Sequence, residues 1–275
     1  MMDCPTVGAN GMAMPKLGLG TWKLSGPACT DAIERALGLG YRHIDTAEMY
    51  GNEAEIGAAF TQTDVARSDI FLTSKVWNEH LAPAALTAAL DASLQRLRTD
   101  YLDLYLIHWP SAGMDLAAAL AAMLRARDAG KIRYIGVSNF TVSLLREAIE
   151  VIGAPIACNQ IEYHALLGQQ AVLDYARTHQ VVVSAYCPLA QGRLGDNPAL
   201  APIAAKHGVS AAQIALAWLL EQDGVAAIPK AARASSQRAN WDALAVRLDA
   251  ADRAVIAQLP KDQRLVDPGF SPAWD

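Results

Sequence analysis

The chain is poor in the features that mark several functional classes. Its four cysteines, Cys4, Cys29, Cys158 and Cys187, are widely separated and fit neither metal-ligand spacing nor a disulfide scaffold, so they read as reduced thiols and no metal is expected. Positive charge is not in excess. Against 28 Asp and Glu stand 23 Lys and Arg, for a net charge of −5 with both signs scattered, which leaves no basic footprint for nucleic acid. No apolar run approaches the ~18 residues of a membrane span. The opening MMDCPTVGANG also lacks the basic and apolar regions of a signal peptide, so a cytoplasmic protein without a membrane partner is expected. No G-x-G-x-x-G sequence stands at a strand-to-helix turn, which excludes the Rossmann way of holding a dinucleotide. Nor does any stretch rich in Pro, Gly or Ser divide the 275 residues, so one domain spanning 1–275 is expected.

What fills the chain is an alternation of short β-branched or leucine-rich runs with longer alanine-rich segments of helical period. The runs at 17–21, 43–47, 70–76, 102–108, 134–138, 157–161, 181–186 and 225–229 read as eight strands. Between them lie helices such as CTDAIERALGLG, APAALTAALDASLQRLR and TVSLLREAIEVIG. Eight strand-helix units without a linker predict a closed parallel (β/α)8 TIM barrel, whose typical length of ~250 residues matches. Ahead of the first unit, Asn10-Gly11 predicts a small hairpin over 6–14. Beyond the last, 249–275 reads as an extra amphipathic helix and an irregular tail.

In such a barrel the chemistry sits at the carboxy-terminal strand ends, and here those ends are polar. Asp45 ends the second strand with Tyr50 in the following loop, Lys75 ends the third and His108 the fourth. Adjacent strands are ~4.8 Å apart, so the four side chains can converge. A phenol titrates near pH 10, and an ammonium beside Tyr50 is expected to lower that value while Asp45 holds the lysine charged. His108 could then orient a carbonyl oxygen. Singly, Asp45 reads equally as a cap, Tyr50 and His108 as packed rings, and Lys75 as a surface cation. Together they are hard to assign to packing, because charge at a barrel mouth costs desolvation. Trp22, Trp77 and Trp109 close three strands at the same end and suggest an apolar pocket. Asn52 and Glu53 read as helix-start residues.

The series GYRHIDTAEMYGNEAEIG, TSKVW, YLDLYLIHWP, IGVSNF, NQIEYH and IPK, in that order, resembles the aldo-keto reductases over essentially the whole chain. Within that family the likeness is greatest to bacterial 2,5-diketogluconate and methylglyoxal reductases. The resemblance implies an eight-stranded barrel that reduces a small-molecule carbonyl with NADPH, with Tyr50 as proton donor, Lys75 and Asp45 as its activators and His108 orienting the substrate. It implies cofactor contacts from Thr21, Ser138, Asn139, Gln160, Tyr186, Pro188, Leu189, Gln191, Lys230, Arg233 and Asn240, and a specificity tail carrying Trp274. Two positions depart from the pattern. Ala231 stands where serine is usual and Ser236 where a further arginine is common, which weakens the expected NADPH preference. Arg238 is assigned to a solvated loop. A compact open pocket suits small aldehydes, α-dicarbonyls and keto-sugar acids, and a monomer is expected. Two other functions fit a barrel with these residues. One is a lyase using Lys75 as a Schiff-base nucleophile, which the Asp45 partner disfavours because such a lysine must be neutral. The other is a nucleotide-sensing interaction protein with little turnover.

Overall fold

The computed structural model describes residues 3–275; the first two residues of the expected domain lie outside that range. Asn10 and Gly11 both take positive φ, the geometry a two-residue hairpin turn demands, and join β1 (Thr6–Ala9) to β2 (Met12–Pro15). Val7, Ala9, Met12 and Met14 from this hairpin pack on Phe71, Leu104, Leu106 and Val182, plugging the amino-terminal end of the barrel.

Eight parallel strands follow: β3 (Leu19–Gly20), β4 (His43–Asp45), β5 (Phe71–Val76), β6 (Leu102–Ile107), β7 (Ile132–Ser138), β8 (Ile156–Glu162), β9 (Val182–Tyr186) and β10 (Val225–Ala227). Each pairs with the next in chain order. Bridges from Leu17 to Ala227 and from Gly20 to Lys230 then close the sheet on itself, giving the expected barrel. The first and last strands are shorter than the run of apolar residues predicts. One reason is Pro229, which has no N–H to continue the ladder and only accepts, from Gly20 N–H at 3.2 Å.

Around the barrel run α1 (Gly26–Leu39), α2 (Glu53–Phe60), α3 (Pro83–Leu97), α4 (Leu116–Asp128), α5 (Val142–Arg146), α6 (Gln170–Thr178), α7 (Ala201–His207), α8 (Ala211–Leu220) and α9 (Ala234–Asp242). The extra helix is α10 (Ala250–Ala257), and an irregular tail follows it. The single helix expected over 141–153 is broken: α5 passes into a π turn over Glu147–Val151, where Ile152 N–H reaches back to Glu147 O at 2.9 Å. Leucines at 86, 90, 94 and 97 show how the helices dock, since all four fall on one buried face of α3.

Helix α2 crosses α3 at Gly57, where an added Cβ would lie 2.4 Å from Arg96 O and 2.8 Å from Leu97 C. These are backbone atoms, so the space cannot be made by a rotamer change. Helix propensity alone favours alanine over glycine by about 1 kcal/mol. We expect Gly57→Ala nonetheless to destabilise the protein by about 1–3 kcal/mol in urea unfolding, as overpacking does; a gain in stability would contradict the close crossing.

Candidate active site

Consecutive strands deliver polar side chains to the carboxy-terminal mouth. Asp45 ends β4, Lys75 lies one residue inside the end of β5, and His108 follows β6 directly. A 3₁₀ turn, Glu48–Tyr50, carries Tyr50 over them, and Glu48 anchors that turn by accepting the Trp77 N–H. Lys75 Nζ donates to Asp45 Oδ1 at 2.5 Å and to the Thr46 carbonyl at 2.8 Å, and lies 3.4 Å from the Tyr50 hydroxyl. Gln160 in β8 donates to the other Asp45 oxygen at 2.7 Å. Burial lowers the Lys75 ammonium pKa below its ordinary value, and the charge and hydrogen bond of Asp45 offset only part of that fall.

Tyr50 departs from expectation. Burial, with smaller contributions from Asp45 and Cys187, raises its pKa well above the usual 10 instead of lowering it. The phenol therefore keeps its proton through the neutral range. Loss of hydration costs the phenolate more than one ammonium at 3.4 Å returns, because that ammonium is itself shared with Asp45. His108 stands edge-on to Tyr50, ring centres 5.6 Å apart. Burial and then the charge of Lys75 hold its pKa well below 6.5, so the ring is neutral, and its buried Nδ1 has no hydrogen-bond partner.

Tyr50 and His108 face a cleft of roughly 610 Å³. Of the residues expected to bind a cofactor, Thr21, Asn139, Gln160, Tyr186, Pro188, Leu189, Gln191 and Lys230 line it. Thr21 is locked beneath by its N–H and hydroxyl, both donated to the Asp45 carbonyl. Asn139, at φ 62°, donates to the His108 carbonyl at 3.0 Å and accepts from the Tyr186 hydroxyl at 2.8 Å. Ser138 lies behind the wall, donating to the Gln160 carbonyl at 2.8 Å. Arg233 and Asn240 do not line the cleft: Arg233 is exposed at the start of α9, and Asn240 is buried within that helix. Trp22 and Trp109 line it, with Trp22 tilted against Tyr50 at 4.9 Å. Trp77 packs on His108 at 5.2 Å and Trp274 on Trp109 at 6.1 Å, supporting the wall from outside.

Residues 16–261 match the profile of the Aldo/keto reductase family. The chain belongs to the aldo-keto reductases. It is 41% identical over 268 residues to methylglyoxal reductase DkgB of Yersinia pestis, covering 96% of this chain and 100% of that one. Glyoxal reductase of Bacillus subtilis is 42% identical over 259 residues, 93% and 92% of the two chains. A crystal structure provisionally called a 2,5-diketo-D-gluconic acid reductase B superposes with TM-score 0.96 at 40% identity, covering 100% of this chain and 98% of the other. Membership brings oxidoreductase chemistry on small-molecule carbonyls, and the aldo-keto reductases generally use NAD(P)H.

Several contributors to this aldo-keto reductase cleft escape sequence reasoning. Lys23, Met49, Cys187 and Val266 line it, and Phe270 stands edge-on to both Trp77 and Trp109. Lys23 and Met49 each sit one residue from a side chain already singled out, a signal that adjacency could have supplied. The expectation for Asn52 and Glu53 as helix-start residues is also incomplete, for neither side chain caps α2. Asn52 donates to the Thr21 and Leu24 carbonyls and accepts from the Thr46 hydroxyl, each at 2.9 Å, tying two loops of the mouth together. Glu53 is buried and accepts from Ser74 at 2.6 Å and from Arg96. Among the described residues no cluster suited to a metal ion occurs, and no single helix is long and apolar enough to cross a membrane.

Burial also lowers the pKa of His43, which sits inside the barrel between Pro15 and Thr73. Both histidines have folded pKa values below the unfolded value of about 6.5, so as pH falls the unfolded chain takes up protons first. Stability present above about pH 6.5 is then lost on acidification, by at most about 1.4 kcal/mol per pH unit for each ring. We expect urea unfolding from pH 7 to 5 to show this fall, with a shallower slope in His108→Gln; an equal slope would contradict a neutral buried His108.

Proposed function

We propose that the protein is an NADPH-dependent reductase of small aldehydes, α-dicarbonyls and keto-sugar acids of the methylglyoxal or 2,5-diketo-D-gluconate type, working as a single-domain cytoplasmic monomer with no nucleic-acid or membrane partner. The observation that carries this reading is a protonated phenol, Tyr50, facing an open cleft with an ammonium behind it. The names of the relatives, methylglyoxal and glyoxal reductases, support the substrate class.

NADPH, when bound, supplies the hydride that reduces the carbonyl carbon. Tyr50 delivers a proton to the carbonyl oxygen. An alkoxide is a stronger base than a phenolate, so this transfer runs downhill even from a phenol whose pKa is raised. The phenolate left behind would be costly in so dry a site; Lys75, 3.4 Å away, offsets that cost, and Asp45 keeps Lys75 charged and aimed. Neutral His108 has one ring N–H to offer the carbonyl oxygen, fixing its position without competing as the acid.

The donor set suits a nicotinamide nucleotide. Asn139 and Gln160, with Ser138 behind them, bring amide and hydroxyl groups to the level of a carboxamide, and Tyr186 brings a ring on which a nicotinamide can stack. The loop through Pro188, Leu189 and Gln191, with Thr21 opposite, suits the pyrophosphate. Lys230 and Arg233 suit the 2′-phosphate, where the start of α9 favours anions, and Asn240 the adenine. Trp22 and Trp109 offer the substrate an aromatic face, with Trp77 and Trp274 packed behind it. Lys75 is fully buried and does not line the cleft, which argues against a Schiff-base lyase.

Tyr50→Phe should lower turnover of methylglyoxal by about 10²- to 10⁴-fold, the usual worth of a general acid, with NADPH affinity by fluorescence titration unchanged. Turnover near the parent's would overturn the assignment. Arg233→Glu should weaken NADPH by about tenfold or more, the value of one charge-assisted contact, and leave NADH nearly unaffected. Equal losses for the two nucleotides would remove Arg233 from the 2′-phosphate.

A further inference from the structure

Glu162 ends β8 two residues beyond Gln160 and is wholly buried, yet the proposed chemistry does not use it. Its carboxylate accepts from three N–H groups. Oε1 takes the Leu265 N–H at 2.8 Å and the His164 ring at 2.9 Å, and Oε2 takes the Val266 N–H at 2.8 Å. His164 Nδ1 accepts the Leu166 N–H at 3.2 Å, which places the ring proton on Nε2, facing Glu162. A buried carboxylate thus binds two successive peptide groups of a tail with no helix or strand of its own beyond α10.

Those peptide groups sit where the tail meets the cleft. Val266 lines the cleft wall. Arg264, immediately before the clamped pair, stacks its guanidinium 3.7 Å above the Trp274 ring. Trp274 donates to Asp267 at 2.9 Å and packs on Trp109, which also lines the cleft. Phe270, on the same tail, stands against Trp77 and Trp109. One unbroken series of contacts therefore runs from Glu162 to the aromatic wall. The catalytic group Tyr50 and the cofactor contacts Asn139 and Gln160 belong to the barrel, and these tail bonds do not hold them.

We infer that Glu162 is a positioning residue that sets the carbonyl-binding wall by clamping residues 265 and 266, and so governs substrate affinity and selectivity separately from the chemical step. The inference rests on the cleft being the carbonyl site proposed above. Two variants attack the clamp from opposite sides. In Glu162→Gln the amide has a single acceptor oxygen for three N–H donors, so one donor faces another. In Leu265→Pro the carboxylate is intact and one of its backbone donors is gone.

Each variant should raise the KM for methylglyoxal by about tenfold, the value of one buried hydrogen bond left unmade, with kcat within about twofold and NADPH affinity unchanged. In hydrogen exchange of the whole protein, amides of residues 262–270 should exchange faster, and those of β4 to β8 should not change. A kcat or NADPH affinity that falls along with KM would overturn the inference, as would a freed tail with KM unaltered or a tail whose exchange does not change. Should the parent protein reduce no carbonyl at all, the reductase reading fails. The exchange comparison alone then decides whether Glu162 holds the tail.

Discussion

The contact between Lys75 and Asp45 is the constraint on which the rest of the mouth depends. Both groups are removed from water, and an ion pair so placed is tolerable only when its remaining valences are met. They are met from β8 and from the loop that follows β4. Asp45 also accepts from Gln160 in β8, and Lys75 also donates to the Thr46 carbonyl, with Tyr50 next to it. Strand register brings this about: β4 pairs with β5 so that Asp45 lies opposite Thr73, which leaves Lys75 two residues further along β5, on the same face, to reach back across. A barrel whose strands slipped by one residue would turn these side chains to the other face.

From that pair follows the division of labour in the proposed reaction. The same dryness that makes Lys75 and Asp45 depend on one another raises the Tyr50 pKa and depresses that of His108. The site therefore holds one protonated phenol and one neutral imidazole side by side, an acid and a hydrogen-bond donor that do not exchange roles near neutral pH. Asn139, whose amide reaches the His108 carbonyl on one side and the Tyr186 hydroxyl on the other, couples the proton-donating half of the cleft to the half suited to a nicotinamide.

How much of this was legible in the sequence depends on how local the cause was. Asn10-Gly11, the alternation of strands and helices, and the polar strand ends at Asp45, Lys75 and His108 could all be read, because period and position alone dictate them. The direction of the Tyr50 shift could not. It is decided by how much water the folded mouth excludes, and no spacing encodes that. Asn52 and Glu53 look like helix-start residues because they stand at the head of an alanine-containing helix, yet the partners Thr21, Leu24, Ser74 and Arg96 lie 21 to 43 positions away. Glu162 and the tail residues it holds are about a hundred positions apart, and only the closed barrel brings them together.

The central claim is that Lys75 acts on the reaction through Tyr50. A double-mutant cycle of Tyr50→Phe and Lys75→Met, scored by kcat for methylglyoxal with NADPH saturating, tests it most directly. If the two residues form one unit, the double variant will be no slower than the slower single one, since residues acting together lose their effect together. Losses that multiply across the cycle would show two independent contributions and contradict the account.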